Sequence, residues 1–339
     1  MNNKEETMNS MRALVYTGTR EVEYRDADFP SPGPGEALVK IDAVGICGSD
    51  MHAYHGHDAR RVPPMILGHE ATGIVEHGRL RGKRVTMNPI AFCGYCEYCL
   101  SGRQNLCANR TMIGMSRPGA FAQYLTIPEQ SLIELPDDMD PVAAALTEPT
   151  ATALHAVHRA MRVSERPLAE ARAMVIGAGS IGLLIALLLK HYGCRDILIG
   201  DTNALRRQTA TEADCGEVFD PSASTPDENH YDLVFDAVGA VATRKTAIDS
   251  IRPGGVIVHV GLLQGDGDFN VRKLTLAEVT FIGVYTYSQT DLKAAAQALY
   301  TGALGPLNWV STQPLSEGSA AFQALHDGST PSAKIVLIP

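Results

Sequence analysis

The stretch Val-Ile-Gly-Ala-Gly-Ser-Ile-Gly at residues 175–182 decides the fold of this 339-residue chain. Its glycines follow the pattern G-x-G-x-x-G, after an apolar run that predicts a strand and before an apolar helix that ends near Tyr192. Gly177 permits a tight turn, Gly179 lets a pyrophosphate approach the backbone, and Gly182 lets the helix pack closely on the strand. The stretch therefore predicts a dinucleotide-binding turn. The expected cofactor contacts in it are Gly177, Gly179, Ser180, Ile181 and Gly182.

Apolar strands and helices alternate around this turn. Strands are predicted at residues 173–176, 197–200, 233–236, 256–260 and 280–284, with a short one near residue 218. Strand–helix–strand alternation of this kind forms a parallel, doubly wound sheet with helices on both faces. The fold class is therefore α/β, with a Rossmann-type domain in the second half of the chain.

Residues beyond the turn indicate which dinucleotide binds. Asp201 follows the second predicted strand, nineteen residues after Gly182, where a carboxylate can bind both ribose hydroxyls and would repel a 2′-phosphate. NAD is therefore expected rather than NADP. Arg206 either flanks the adenine or is a solvated helix residue. Val238 and Gly261 follow the fourth and fifth strands, at the sheet edge expected to face the nicotinamide, and either contact the cofactor or only form turns.

The first half of the chain has a different sequence pattern. Short β-type runs at residues 13–16, 36–44, 72–75, 84–87 and 124–127 are separated by Gly- and Pro-rich turns. This predicts an irregular, mainly antiparallel β domain. A helix at 291–300 and a strand at 334–338 exceed what a six-stranded Rossmann unit needs, so the tail is expected to rejoin the first domain. The predicted division is 1–151 with 285–339 for the first domain, and 152–284 for the second.

Four cysteines lie close together in one loop: Cys93, Cys96, Cys99 and Cys107 form C-x2-C-x2-C-x7-C. Their thiolates can converge on one ion without long-range folding, and four thiolates satisfy Zn²⁺ in a closed tetrahedron. Unpaired thiols and an iron–sulfur cluster are the alternatives. A zinc lobe at residues 90–110 is favoured, and it is expected to be structural because a tetrathiolate leaves no open position for a substrate.

Four further residues of types that bind metals are spread along the sequence. The candidates are Cys47 in Gly-Ile-Cys-Gly-Ser-Asp-Met-His, His69 and Glu70 in Gly-His-Glu, and Glu148 in Thr-Glu-Pro. Alone, each has a simpler interpretation as a core thiol, a satisfied imidazole or a solvated acid. Together they supply the mixed S, N and O donors of a catalytic zinc, which needs about three protein ligands and an open position.

The order of these motifs resembles the zinc-containing medium-chain dehydrogenase/reductase (alcohol dehydrogenase) family. The chain runs G-I-C-G-S-D-x-H, G-H-E, the four-cysteine lobe, E-P and then G-x-G-x-x-G, and the likeness spans residues 11–339. It is greatest to the polyol (sorbitol-type) and threonine dehydrogenase branch, because acids stand where the other main branch has a third ligand cysteine. The resemblance implies a GroES-like β domain carrying zinc sites, a Rossmann-type domain, and a catalytic zinc in the cleft between them.

The resemblance also implies roles for individual residues. Cys47 and His69 would bind the catalytic zinc directly. Glu70 and Glu148 would complete its coordination, one directly and the other directly or through water. Asp50 would accept a hydrogen bond from the ring nitrogen of His69 that does not bind zinc, although it could instead only cap a turn.

The proton released when an alcohol is oxidised needs a route out. Ser49, two residues after Cys47, is expected to accept it and hand it through the ribose hydroxyls to His52, whose imidazole titrates near neutrality. His55 and His57 are interpreted as loop residues. The expected catalytic residues are Cys47, Ser49, His52, His69 and Glu148.

Two positions that differ from the sorbitol-type pattern bear on the substrate class. Thr286 stands where sorbitol-type members carry an arginine, and Ala53 where they often carry a tyrosine, which argues against sorbitol itself. A polyol, sugar alcohol or other secondary alcohol, oxidised to the ketone, is the leading expectation. A simple alcohol or aldehyde dehydrogenase is the alternative within the family. A zinc- and nucleotide-binding sensor without turnover is the alternative outside enzymes.

Composition bears on the remaining partners. A net charge of -9 without any Lys- or Arg-rich run disfavours nucleic acid. The longest apolar run, residues 181–189, is far shorter than the roughly 20 residues of a membrane span. The first ten residues lack the apolar stretch of a secretory signal and are expected to be a loose leader, which leaves the seven cysteines in a reducing cytoplasm. A homodimer or homotetramer is expected, with the sheet edge at 280–284 pairing across a two-fold axis.

Overall fold

The computed structural model describes residues 9–267 and 269–339. It divides into two compact units: the first is Met1–Glu148 with Ser311–Asp327 and Ile335–Pro339, and the second is Pro149–Val310 with Gly328–Lys334. The predicted loose leader falls mostly on residues 1–8, which lie outside the described residues. The first strand begins at Ser10.

The helices and strands follow one another in this order. Up to Met161 they are β1 (Ser10–Gly18), β2 (Glu21–Asp28), β3 (Glu36–Gly45), α1 (Gly48–Tyr54), β4 (Met65–Ile66), β5 (Glu70–His77), β6 (Arg84–Met87), β7 (Ile90–Ala91), α2 (Glu97–Leu100), β8 (Thr111–Met112), β9 (Tyr124–Pro128), β10 (Leu132–Glu134), α3 (Pro141–Ala145) and α4 (Thr147–Met161). Then come β11 (Arg172–Ile176), α5 (Ser180–His191), β12 (Asp196–Gly200), α6 (Ala204–Glu212), β13 (Glu217–Phe219), β14 (Tyr231–Asp236), α7 (Val241–Ser250), β15 (Ile251–His259), α8 (Val271–Leu276), β16 (Thr280–Gly283) and α9 (Gln289–Tyr300). The chain ends with β17 (Val310–Pro314), α10 (Gly318–Asp327) and β18 (Lys334–Ile338). Within the described residues, no helix is long and apolar enough to cross a membrane.

A seven-stranded sheet forms the body of the first unit. Its order is β10-β6-β5-β3-β18-β17, with β9 also paired to β3, and the pairs that β3 makes with β5, β9 and β18 are antiparallel. Alternate residues of β3 such as Val39 and Ile41 enter the hydrophobic core, which Phe121 and Phe322 fill. The predicted antiparallel β domain is confirmed, and so is the return of strand β18 to its sheet.

The second unit is built on a six-stranded parallel sheet. Its order is β13-β12-β11-β14-β15-β16, the doubly wound order of a Rossmann fold. Strand β14 is buried along its whole length, as a central strand covered on both faces must be. Helix α5 is apolar and buried from Gly182 to Leu189, which explains the longest apolar run of the sequence. The predicted fold class is confirmed.

One segment lies in a different unit from the one expected. The sequence assigns residues 285–310 to the first domain, whereas in the structure they belong to the second unit. At the start of α9, Asp291 accepts hydrogen bonds from Nδ1 of His155 and of His158 on α4, both at 2.8 Å. These bonds tie α9 to a helix of the second unit, which the apolar pattern of α9 does not reveal. The functional domain limits at residues 151 and 285 stay a prediction.

Candidate active site

Cys47 lies where the main sheet of the first unit gives way to α1. Strand β3 ends at Gly45, and Cys47 immediately precedes the helix. Its backbone N–H donates to Oδ2 of Asp50 at 3.0 Å, and the Asp50 N–H donates back to the Cys47 carbonyl at 3.0 Å. Asp50 thereby caps the helix and fixes the backbone that carries the thiol.

The register of β3 and β5 brings further donors beside Cys47. Gly45 of β3 is paired with Glu70, the first residue of β5. A Cβ atom on Gly45 would lie 2.2 Å from Oε2 of Glu70, so glycine is needed to leave room for that carboxylate. His69 and Glu70 are only 2% and 0% exposed.

A thiol, an imidazole and a carboxylate therefore converge. Ligand atoms of Cys47, His69 and Glu70 all lie within 4.8 Å of one another. Sulfur, nitrogen and oxygen donors in one largely buried group suit Zn²⁺, and three protein donors leave a fourth tetrahedral position open. Among the described residues Glu148, also expected here, does not belong to this 4.8 Å group, although it is buried at the start of α4.

Asp50 also faces His69. Its Oδ1 lies 3.6 Å from Nδ1 of His69, longer than a hydrogen bond, and accepts a 3.4 Å hydrogen bond from the backbone N–H of Gly68. Burial opposes ionisation of Asp50, but the charges of His69 and Arg61 and the N–H of Cys47 outweigh it, so the pKa of this carboxyl is lowered. The contact of Asp50 with His69 is electrostatic in this structure, while its capping role is seen directly.

Ser49 and His52 share one face of α1, since they are three residues apart. His52 is half-buried, and this burial, together with the charges of His57 and Arg61, lowers the pKa of its imidazole against the opposite effect of Asp58. The ring is therefore neutral at neutral pH and able to accept a proton.

A buried arginine that sequence reasoning did not single out also reaches Ser49. The side chain of Arg61 is 0% exposed and donates to the carbonyl and hydroxyl oxygens of Ser49 at 2.8 and 3.2 Å. In the sequence it follows another arginine, Arg60, in a polar loop. No signal in the sequence distinguishes the buried arginine from the exposed one.

The four-cysteine lobe has the dimensions of a metal site. Sulfur–sulfur distances are 3.8 Å for Cys93–Cys99, 3.5 Å for Cys96–Cys99 and 3.6 Å for Cys107–Cys93. A tetrahedron with metal–sulfur bonds of about 2.3 Å has edges of about 3.8 Å, whereas a disulfide holds two sulfurs about 2.05 Å apart. The backbone N–H of Tyr95 lowers the pKa of Cys93 to about 6, whereas burial raises the pKa of Cys99 to about 12. The lobe therefore fits a tetrahedral thiolate-bound ion.

The glycine turn of the second unit joins β11 to α5. Gly177 has a φ of +100°, in the left-handed region, and a Cβ there would meet a neighbouring side chain at 2.6 Å. A Cβ on Gly182 would lie 1.7 Å from the carbonyl oxygen of Gly177. A Cβ on Gly179 would meet nothing within 4 Å, which leaves open space before Ser180 and Ile181, the first residues of α5. An anion can approach the helix N-terminus there.

Asp201 braces this turn from the end of β12. Its Oδ2 accepts from the Ala178 N–H at 2.9 Å and its Oδ1 from the Asn203 N–H at 2.8 Å. Each carboxylate oxygen retains a lone pair for a ribose hydroxyl. The partly exposed guanidinium of Arg206 lies 3.8 Å from Oδ2.

The loops after β14 and β15 pack backbone against backbone. A Cβ on Gly261 would lie 2.1 Å from the carbonyl carbon of Val238. Asp236 holds the first loop by accepting from the N–H groups of Val238 and Gly239 at 3.0 and 2.8 Å. Val238 and Gly261 therefore lie side by side at the carboxyl ends of adjacent parallel strands, the edge at which dinucleotides bind.

Thr286, which departs from the sorbitol-type pattern, has an unusual backbone. Its φ of +47° is a conformation that β-branched residues rarely adopt. Its hydroxyl oxygen is buried, and within residues 9–267 and 269–339 no hydrogen-bond partner reaches it. Strain of this kind often occurs at ligand sites, so Thr286 is a candidate for contact with substrate or cofactor.

Comparisons with known proteins agree with this geometry. Residues 33–137 match the alcohol dehydrogenase GroES-like domain, and residues 180–301 match the zinc-binding dehydrogenase family. L-galactonate-5-dehydrogenase of Escherichia coli strain K12 is 33% identical over 87% of this chain and 89% of that protein. Sorbitol dehydrogenase of Halalkalibacterium halodurans is 32% identical over 97% of this chain and 99% of that protein. Among solved structures, a protein of Sinorhizobium meliloti 1021 is 30% identical over 97% of this chain and 99% of that chain, with a TM-score of 0.85. It is named as a zinc-binding dehydrogenase and was solved bound to NADP.

Fold and site together define a zinc-dependent oxidoreductase of the alcohol dehydrogenase type. The chain belongs to the zinc-containing medium-chain dehydrogenase/reductase family, on the side of its polyol and threonine dehydrogenase branch. The resemblance inferred from the motif order is confirmed.

Proposed function

We propose that the chain oxidises a secondary hydroxyl group of a polyol to a ketone, with zinc held by Cys47, His69 and Glu70 and with NAD as the hydride acceptor. The proposal rests on the convergence of these three donors within 4.8 Å of one another. The hydroxyl of Ser49 follows two residues after Cys47 in the sequence. An open metal position beside a proton acceptor is what alcohol oxidation needs.

The proposed roles divide between the two units. All the proposed zinc ligands belong to the first unit and all the proposed cofactor contacts to the second, which supports the functional division inferred from the sequence. Glu70 is proposed as the direct acid ligand because it belongs to the converged group, and Glu148 is proposed to act through water. The four cysteines of the lobe are proposed to hold a second, structural zinc.

The residues of the chain are proposed to manage the proton. A zinc ion held by Cys47, His69 and Glu70 would supply Lewis-acid activation of the alcohol, and NAD bound at the glycine turn would supply the hydride acceptor. The Ser49 hydroxyl accepts the alcohol proton as its own hydrogen leaves toward His52. The neutral imidazole of His52 takes that hydrogen and releases it to solvent.

Asp201 is proposed to select NAD. The relative from Sinorhizobium meliloti holds NADP, so family membership alone leaves the dinucleotide open, and a carboxylate beside the glycine turn decides it by repelling a 2′-phosphate. Asp201→Asn keeps an acceptor oxygen for the Ala178 N–H but removes the charge. We expect the ratio of kcat/KM for NAD to that for NADP to fall at least tenfold, since each lost kcal/mol is worth about fivefold. An unchanged ratio would remove Asp201 from this role.

The substrate class is tested by a screen of NAD reduction. The two relatives above are named for L-galactonate and sorbitol, both of which carry several hydroxyl groups, and this supports a polyhydroxylated substrate. Purified protein with measured zinc content is assayed with polyols, sugar acids, amino alcohols and simple alcohols. Activity confined to polyhydroxylated compounds supports the proposal. Equal activity on alcohols with one hydroxyl favours a simple alcohol dehydrogenase, and no reduction with any of them contradicts the proposed function.

A homodimer is proposed through the edge of the second unit's sheet. Strand β16 lies at that edge, and Leu262, Leu276 and Phe281 are 72%, 72% and 37% exposed. An unpaired edge with exposed apolar side chains is suited to pairing with a second copy. Phe281→Lys is expected to shift the mass in light scattering toward the monomer, whereas Val163→Lys, at a position 42% exposed elsewhere in this unit, leaves it unchanged.

A reducing compartment such as the cytoplasm is proposed for the chain. All seven cysteines lie in the described residues and are free thiols. Clustered thiols stay available to metal only where disulfides do not form.

A further inference from the structure

Arg61 is a charged side chain buried beside the proposed relay. It is 0% exposed, and burying a guanidinium is costly unless its donors are satisfied. Nε donates to the carbonyl of Gly114 at 2.8 Å, and Nη1 donates to the carbonyl of Ser49 at 2.8 Å and to Asp58 at 2.9 Å. Nη2 donates to the hydroxyl of Ser49 at 3.2 Å and lies 4.0 Å from Asp50. The guanidinium is thus fixed on several sides at once.

The preceding residue shows what a merely structural arginine looks like in this loop. Arg60 is 65% exposed and makes a bidentate pair with the same carboxylate, Asp58, at 2.8 and 2.9 Å. Asp58 therefore has a cation without Arg61. Arg61 differs from Arg60 in being buried and in donating to the carbonyls of Gly114 and Ser49 and to the Ser49 hydroxyl. Of these acceptors, the hydroxyl is the one proposed to react.

That contact determines what the hydroxyl can still do. A serine oxygen has two lone pairs and one hydrogen. Among the described residues, the bond from Nη2 of Arg61 is the one hydrogen bond made to the hydroxyl oxygen of Ser49, and it fills one lone pair. One lone pair remains to accept from an alcohol, and one hydrogen remains to be donated away.

We propose that Arg61 is a positioning residue for proton transfer, which rests on the proposed function: by filling one lone pair of Ser49, it makes the hydroxyl accept the alcohol's proton on the other while donating its own hydrogen outward. The alcohol O–H bond breaks as a new O–H bond forms on Ser49. The former hydroxyl hydrogen passes toward His52, so Ser49 ends the step with one hydrogen, as it began. The fixed guanidinium also places positive charge beside the oxygen while the proton is in transit.

A double-mutant cycle with Ser49 tests this coupling. Arg61→Gln is expected to lower kcat for alcohol oxidation roughly tenfold to hundredfold, the usual cost of losing a partner that orients a reacting group. The KM for alcohol and the Kd for NADH should change less than about twofold, because Arg61 acts on the reacting hydroxyl rather than on binding. In a Ser49→Ala background the same Arg61→Gln change should cost less than about twofold, since the hydroxyl it orients is absent. Arg60→Gln, which removes the same charge from the same carboxylate, is the matched control and should keep wild-type kcat.

Arg61→Lys repeats the cycle if Arg61→Gln does not fold. One ammonium cannot reach both the Gly114 carbonyl and the Ser49 hydroxyl in the way that separate guanidinium nitrogens do, so kcat should fall at least about threefold, and only when Ser49 is present. The inference is overturned if Arg61→Gln lowers kcat by the same factor with and without the Ser49 hydroxyl, or if Arg61→Lys keeps wild-type kcat. Either result would leave the dehydrogenase activity itself standing. A wild-type protein that holds zinc but reduces no NAD with any alcohol would overturn both.

Discussion

Two candidate metal-binding groups in the first unit are built in opposite ways. The four-cysteine lobe collects its donors from one loop, residues 93–107, around the short helix α2. The second group takes Cys47 from the start of α1, His69 from a loop and Glu70 from strand β5. Two of the lobe's thiols are partly exposed, whereas His69 and Glu70 are buried.

The difference teaches how each group depends on the fold. The lobe needs only local chain geometry and ends as a closed set of identical donors. The second group exists because β3 and β5 pair in one register, with Gly45 opposite Glu70. A slip of one residue would turn Glu70 to the other face of the sheet. The open, mixed and register-dependent group is therefore the one suited to chemistry, and the local group to structure.

Cys47→Ala should separate the two groups most clearly, because it is expected to affect turnover far more than stability. Turnover is expected to fall by about a thousandfold or more, because Lewis-acid activation is worth several kcal/mol and each 1.36 kcal/mol is tenfold in rate. The thermal midpoint should change little, since the lobe keeps its ion. Kinetics and zinc per chain are measured together, and one of the two proposed ions should be lost.

The isolated buried thiol of Cys194 provides the control for that variant. Burial raises the pKa of Cys194 to about 11, and it belongs to neither metal group. Cys194→Ala should keep both zinc ions and full turnover. Near-normal turnover in Cys47→Ala would instead show that this group does no chemistry.

The same contrast explains what the sequence could predict. The lobe was predictable because its spacing alone brings four thiols together, and the glycine turn because G-x-G-x-x-G lies between a recognisable strand and helix. The choice between two acids was not. Glu70 joins Cys47 through strand register while Glu148 stays outside the group, and no local pattern encodes that outcome.

Long-range contacts also account for two further features that the sequence did not reveal. Arg61 lies in a polar loop whose sequence resembles any exposed one, and its burial depends on carbonyl acceptors at Ser49 and Gly114. The unit to which α9 belongs depends on Asp291 meeting His155, 136 positions earlier in the chain. Apolar periodicity predicts a helix but not its partner.

Cys99→Ala tests the structural half of the comparison. Cys99 is a buried thiol of the lobe, and its sulfur lies 3.8 Å from that of Cys93 and 3.5 Å from that of Cys96. Structural zinc sites supply folding free energy directly, so we expect the thermal midpoint to fall by about 5–10 °C with loss of one ion. Calorimetry and zinc content measure this, and kcat per folded chain should stay within about threefold. A turnover loss as large as that of Cys47→Ala would contradict the division of labour.

Gly45→Ala tests whether the register of β3 and β5 holds Glu70 in the proposed catalytic group. A Cβ at this position would lie 2.2 Å from Oε2 of Glu70, so the carboxylate must move. Zinc affinity at this group and kcat/KM should each fall about tenfold to hundredfold, the usual cost of disturbing how a ligand is held. Gly48→Ala, where a Cβ meets nothing within 4 Å, is the control for zinc content. Equal zinc affinity in the two variants would mean that Glu70 is not held by this packing.

The pH dependence of turnover is the smallest expected effect. His52 must be neutral to accept the proton, so kcat for oxidation should fall in acid as the pH drops through its pKa. Burial and the positive charges of His57 and Arg61 lower that pKa, while Asp58 raises it, so neutral imidazole and turnover persist below the usual range of histidine. His57→Gln removes one of the lowering charges and should move the acid limb to higher pH. His77→Gln, at the exposed end of β5, should leave it in place. An acid limb that stays fixed or moves to lower pH in His57→Gln would exclude His52 as the group that takes the proton.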